Sequence, residues 1–317
     1  MEIVYNRRNS REHFVRSRHL RLNGLKEEAK AAGLESDYLF KPNIPESPRP
    51  EFVLSHVKHD TDADGLCGIS EDNGFKDPMK ETSSEFRLLW WSLSVGPDEI
   101  KSAERRLLEK TYPDQKEEQL QMQQGFLEKF TTSPAFLKTS RLGSYRFTFP
   151  LEELLEAYSK QFCSGAPPVM RVFKTVLYKQ EVNYVVLVHS PDQDQFSDYP
   201  LLNDNPDTVC TYRDGCFIWR PEAMSGTHRY ELIVGPDQME AQKWYDYEHY
   251  VWDNVSIALH VEDKVLNFDA SRLRENLKFC SEGYPALRGV TFEDFPTAEK
   301  LVNKLWPGHP SPLEKDE

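Results

Sequence analysis

The sequence holds no Cys-x-x-Cys pair, and its cysteines are odd in number: Cys67, Cys163, Cys210, Cys216 and Cys280. That removes zinc-finger spacing and argues against a disulfide framework. There is no run of about 18 apolar residues, the length a spanning helix needs. The opening, MEIVYNRRNS, carries no apolar signal core. A reducing, intracellular location, cytoplasmic or nuclear, is the expectation. Glycine-rich phosphate loops and internal repeats are also lacking. Positive charge is short: 39 Lys and Arg stand against 52 Asp and Glu, a net charge of −13. Such a chain repels phosphate backbones, so nucleic acid is not expected over the surface as a whole.

The 317 residues suffice for one large domain or two small ones, with a core that needs no staples. Aromatic residues at 12% argue against general disorder. Residues 1–26 are the basic exception, with Arg7, Arg8, Arg11, Arg16, Arg18, Arg21 and Lys26 against Glu2 and Glu12. They suit a basic arm that meets RNA, anionic lipid or an acidic protein, or a solvated helix face.

The pattern predicts a helix over 10–34, capped by Ser10 and stopped by Gly33. The proline-rich KPNIPESPRPEF then marks an extended linker. Strands are expected at FVLSHVKH and, buried on both faces, at FRLLWWSLSV. Helices are expected at PDEIKSAERRLLEK, QKEEQLQMQQGFLEKF, LEELLEAYSKQF, ASRLRENLKFC and TAEKLVNKLW. Between them lie YRFTF, a hairpin about KQE, a second hairpin about Asp214-Gly215, and the strands HRYELIV and VSIALHV. Strands come in adjacent runs instead of alternating with helices. This predicts an α+β class with a mainly antiparallel sheet, whole or split, and several packed helices. The expected division is a basic helical arm and linker over 1–44, one domain over 45–305, and a disordered tail over 306–317.

Chemistry and spacing meet at residues 59–75, HDTDADGLCGISEDNGF. Asp60, Asp62, Asp64 and Glu71 stand at positions 1, 3, 5 and 12 of a calcium loop, with Gly65 at position 6. The flanks read as a strand and as Gly/Pro turns, so this would be a lone loop without the paired helices of an EF-hand. A purely structural reading makes the stretch an acidic turn at a strand end.

The same stretch resembles the first motif of the poly(ADP-ribose) polymerase-type ADP-ribosyltransferases, carried by His59, Thr61, Ile69 and Asn73-Gly74-Phe75. The resemblance covers about residues 52–95. It implies a split α+β sheet and NAD as cofactor, with His59 on a ribose hydroxyl and the neighbouring backbone holding the nicotinamide amide. It further implies a stacking aromatic, for which Trp90 or Trp91 is available and Trp91 is taken. Glu181 in QEVNYVVLV, with Glu222 as a rival, would serve as the polarising carboxylate beside an oxocarbenium-like transition state. Asp60 stands where the family has a small residue.

An interaction protein without catalysis is the alternative. It would use YDYEHYVWDN, with Glu248, His249 and Asp253 among its aromatics, together with the basic arm. Cys210 and Cys216 flank the Asp214-Gly215 turn as candidate cross-strand neighbours, and no cysteine sits in a nucleophile motif.

Overall fold

The computed structural model describes residues 1–5, 11–77, 86–203, 205–235, 239–245, 248–287 and 289–316. The strands are β1 Glu2–Tyr5, β2 Arg11–Arg16, β3 Phe52–Leu54, β4 His56–Thr61, β5 Gly74–Phe75, β6 Leu88–Leu93, β7 Tyr145–Pro150, β8 Val169–Tyr178, β9 Glu181–His189, β10 Cys210–Arg213, β11 Cys216–Trp219, β12 Arg229–Val234, β13 Met239–Tyr245, β14 Trp252–His260, β15 Leu266–Asn267, β16 Leu277–Phe279 and β17 Glu314–Lys315. The helices are α1 Leu22–Ala31, α2 Ala63–Asp72, α3 Pro97–Thr111, α4 Glu117–Met122, α5 Leu127–Phe130, α6 Leu151–Phe162, α7 Ala270–Glu275 and α8 Phe295–Leu305.

Among the described residues, one sheet of 10 strands runs in the order β1-β2-β8-β9-β14-β6-β4-β7-β16-β17. Its neighbours are antiparallel except β9 with β14 and β16 with β17. Smaller sheets are β10-β11-β3, β12-β13 and β15-β5. The class is α+β with a mainly antiparallel sheet, as the adjacent strand runs predict.

Side-chain alternation divides the large sheet into two faces. Val57, His59, Trp91, Phe147, Phe149, Ile257 and Val186 lie on the face that shares one core with α2, α3, α6 and α8. The other face carries a smaller core about Phe14, Leu88, Phe173, Phe196 and Ala258. Beside it stand the polar and charged residues Lys58, Asp60, Ser92, Arg146, Thr148 and Ser256. Among the described residues, no helix is long and apolar enough to cross a membrane.

Several sequence expectations change. Residues 1–44 do not form a helical arm: β1 and β2 extend the large sheet along β8, and only Leu22–Ala31 is helical. The physical cause is local. Phe14 and Val15 are each 6% exposed and pack on either side of β2, and Ser17 has a φ of 57°, which breaks a right-handed helix. Arg7, Arg8 and Ser10 lie outside the described residues. The arm's cations are partly engaged within the chain: Arg16 with Glu2, Arg18 with Glu28 and Arg21 with Glu222.

FVLSHVKH supplies two strands in different sheets, β3 beside β11 and β4 beside β7. In β6, Trp90 is 36% exposed, so this strand is not covered on both faces. QKEEQLQMQQGFLEKF breaks into α4 and α5, with Gly125 between them. ASRLRENLKFC ends its helix at Glu275, because Leu277 and Phe279 alternate into β16 and bury against β7. The tail is not disordered through 316: it closes with β17, and Leu313 is 3% exposed. The hairpin at Asp214-Gly215 forms as expected, with φ of 52° and 79°.

Candidate functional site

β4 delivers the candidate residues, and α2 follows at once because Asp62 caps it: the Gly65 N–H donates to Asp62 Oδ1 at 3.1 Å. Gly65 leaves room for the Thr61 hydroxyl, since a Cβ would fall 2.0 Å from Thr61 Oγ1 and force it to turn. At the other end Asn73 takes the left-handed conformation at φ 50° and closes the helix. Gly74 then passes so close to β15 that a Cβ would come within 2.3 Å of the Leu266 carbonyl. This passage carries Phe75 into the core at 1% exposure, where its ring meets His59 at 5.3 Å and Trp91 at 4.9 Å between centroids. The Asn-Gly-Phe triplet therefore has a packing cause: it sets the aromatic floor under His59.

The sheet nearly parts beside His59. β4 keeps six register pairs with β7, from His56–Pro150 to Thr61–Tyr145, but only Val57–Leu93 and Lys58–Ser92 with β6. The His56 carbonyl accepts from Ser94 N–H. In an antiparallel ladder the backbone groups of every second residue face the same neighbour. Those of Lys58 and Asp60 therefore face β6 as well, and a continued ladder would give Asp60 to Trp90. Instead the Trp90 carbonyl accepts from His59 Nδ1 at 2.8 Å. The Asp60 N–H and C=O face the gap beyond the last ladder pair.

A carbonyl only accepts, so this contact fixes the His59 proton on Nδ1 and leaves Nε2 as an acceptor. Burial pushes the His59 pKa down, against the opposing pull of the Trp90 carbonyl and Asp60, and the ring is neutral near pH 7. Trp91 is 1% exposed, its ring 5.3 Å from that of His59, and its buried Nε1–H has no partner among the described residues.

The Asp60 carboxylate does not enter this gap. Alternation sends it to the opposite face of the sheet, where Arg146 Nε and Nη2 donate to its two oxygens at 2.7 and 2.8 Å. Burial alone would raise its pKa, but the guanidinium overrides that and holds it below the usual carboxylate value. The Asp60 charge is thus neutralised on the face away from His59.

Glu181 is not brought to His59. Three strand spacings separate β9 from β4, about 14 Å at the usual 4.7–4.9 Å. Register places His59 level with Trp91, Ile257 and Val186, so Glu181 stands 186 − 181 = 5 residues further along, roughly 16 Å. Its carboxylate accepts from Arg141 Nη1 and Nη2, both at 3.1 Å. The rival Glu222 accepts from Arg21 and from the Leu22 N–H.

The calcium ligands do not converge either. Asp60 is held by Arg146 and Asp62 caps α2, while Asp64 and Glu71 are exposed at opposite ends of that helix. Among the described residues no group of three His, Cys, Asp or Glu is placed to hold a metal ion. Winding residues 63–72 into a helix points their side chains outward instead of around one centre.

Within YDYEHYVWDN, Tyr250 and Trp252 are buried at 1% and 0% exposure, and Tyr247 lies outside the described residues. Cys210 faces Trp219 across the hairpin and Cys216 faces Arg213, so the two are not paired. Cys210 Sγ lies 3.8 Å from His19 Nδ1. Burial raises this thiol to about 12 and lowers the imidazole to about 4, so both stay neutral and no thiolate nucleophile results.

The residues that sequence inspection passed over are Lys58, Arg146 and Asp316. Their one signal was charge inside strand patterns, Lys58 in HVKHDT and Arg146 in YRFTF. Compared with protein-family models, with curated proteins and with solved structures, the chain gives no match.

Proposed function

We propose that this chain binds NAD by its nicotinamide end, in the split between β4 and β6. The single observation that supports this is the interrupted ladder. His59 takes the Trp90 carbonyl, and the Asp60 N–H and C=O are turned toward the gap. One donor and one acceptor side by side complement a primary carboxamide, which offers one acceptor and two donors. His59 Nε2 would accept from a ribose hydroxyl, and the Phe75–Trp91 floor holds the imidazole in place. Bound there, NAD would supply a glycosidic bond with nicotinamide as leaving group. The carboxylate that would assist its departure is not Glu181, which is paired with Arg141 far along the sheet. Recognition without transfer is therefore the function proposed.

The test is calorimetric titration with NAD, nicotinamide and nicotinic acid, beside the His59→Ala variant. NAD and nicotinamide are expected to bind. Nicotinic acid, which has no amide donors, is expected to bind at least tenfold more weakly. His59→Ala is expected to weaken NAD by at least tenfold, beside a lowered thermal midpoint from the lost ring packing and the lost Trp90 hydrogen bond. Nicotinamide release that disappears in Glu181→Gln would overturn the restriction to binding. Absence of any NAD or nicotinamide heat would overturn the proposal itself.

A further inference from the structure

We propose that the edge of β16, with Arg146 beside it, is a docking groove for an extended acidic segment of another protein, one with an apolar residue three positions before a carboxylate. The chain's own Leu313–Asp316 stretch is the displaceable occupant. The chemistry is legible from how that stretch sits. Lys278 and Phe279 pair in parallel with Glu314 and Lys315, and the Asp316 N–H donates to the Phe279 carbonyl at 2.8 Å. Leu313 is the apolar anchor at 3% exposure. The Asp316 carboxylate accepts from Arg146 Nη1 at 2.6 Å.

Charge explains why a carboxylate is wanted. Arg146 is 3% exposed and Lys58 9%, and Lys58 lies within the field of the same two carboxylates, Asp60 and Asp316. Against these two buried cations the sheet itself supplies one carboxylate, Asp60. The second is Asp316, the residue after the edge strand β17. A buried cation without a counter-charge is costly, so the groove selects an acid.

The resident strand is held mainly by its two side-chain anchors, Leu313 and Asp316, and by few ladder bonds. It is two residues long, and it is preceded by Pro307, Pro310 and Pro312, which have no N–H to give to a ladder. An incoming segment free of proline would form more ladder bonds along the same edge, the mode of strand addition. Being tethered, the resident competes at an effective concentration in the millimolar range.

The test uses full-length chain and a fluorescein-labelled peptide of sequence PSPLEKD, followed by anisotropy. The Leu313→Ala/Asp316→Ala variant loosens the resident and is expected to bind the peptide at least tenfold more tightly than the wild type. A peptide with asparagine at its final position is expected to lose at least tenfold. A folded double variant that takes up peptide no better than the wild type overturns the proposal. So does a concentration-dependent dimer that excludes peptide, which would mean exchange between copies. Where the double variant does not fold, hydrogen exchange on the wild type decides. The Asp316 amide is expected to exchange at least a hundredfold faster than amides of the β4–β7 ladder. Exchange of that amide only through global unfolding overturns the proposal.

Discussion

Replacing Arg146 by methionine removes the centre of a buried network. The guanidinium donates to both Asp60 oxygens, to Asp316 at 2.6 Å, and to the carbonyls of Lys138 and Thr139 at 3.0 and 3.2 Å. Methionine matches much of the volume, so the loss is chiefly electrostatic. Breaking one partner out of a buried ion pair costs about 3–5 kcal/mol, because the remaining charge is left without compensation. For a chain of this length the unfolding entropy is roughly 0.65 kcal/mol/K, so a loss of about 4 kcal/mol lowers the thermal midpoint by about 6 °C.

The loss also depends on pH. In the wild type the Asp60 pKa is held below its ordinary value, so its contribution is present above about pH 4 and is lost as pH falls through the folded pKa. Without Arg146, burial is opposed only by Lys58 and Ser140 and favours the protonated acid more strongly, so the variant is relieved as pH falls. Urea unfolding followed by tryptophan fluorescence at pH 7 and pH 4 is the assay, and the deficit is expected to be clearly larger at pH 7. A loss under about 1 kcal/mol at pH 7, or one of equal size at both pH values, would show that the network is not a buried ion pair in energetic terms.

Burial lowers the Lys58 pKa to about 8 from 10.5, so the folded state disfavours its proton. Lys58→Met is expected to raise stability at pH 7 by up to about 3 kcal/mol, with the gain fading from about pH 8 upward and gone above pH 10.5, as read from urea midpoints across that range. Gly143 has a φ of 130°, and a Cβ there would stand 2.3 Å from the Thr61 carbonyl. Gly143→Ala is expected to cost roughly 2 kcal/mol or more in thermal unfolding, and to weaken NAD by shifting the end of β4. A neutral Gly143→Ala would show that the 138–143 loop does not press on β4. Iodoacetamide on the native protein is expected to modify Cys67 and Cys216, which are half-buried, and to spare Cys163, Cys210 and Cys280 until denaturant is added. Rapid native labelling of Cys210, read by peptide mass mapping, would contradict its burial beside His19.

Local signals carried the fold class and many of its pieces. Asp214-Gly215 specified its own turn, since both positions tolerate positive φ. Pro97 with Asp98 and Glu99 specified the start of α3, and LEELLEAYSKQF specified α6 through its apolar spacing. The misread segments failed for non-local reasons. Residues 11–16 are a strand because β8 offers an edge, and Leu277–Phe279 leave α7 because β7 offers another. The stretch 59–75 stood out because its polar and turn residues are close in sequence. Each part proves to hold β4, α2 and Phe75 against one another.

The sequence by itself determined the net negative charge, the α+β class, the Asp214-Gly215 turn and the Asn-Gly-Phe turn at the end of residues 59–75. These rest on propensity and turn stereochemistry, which act within a few residues. Only the tertiary structure decided which face of the sheet each charge occupies, that β4 parts from β6 beside His59, and that Glu181 stands far from both. It alone placed Asp316 against Arg146, 170 residues away. Strand order and register set those distances, and they are fixed by which edges pair and which faces bury, a choice made by the whole chain at once.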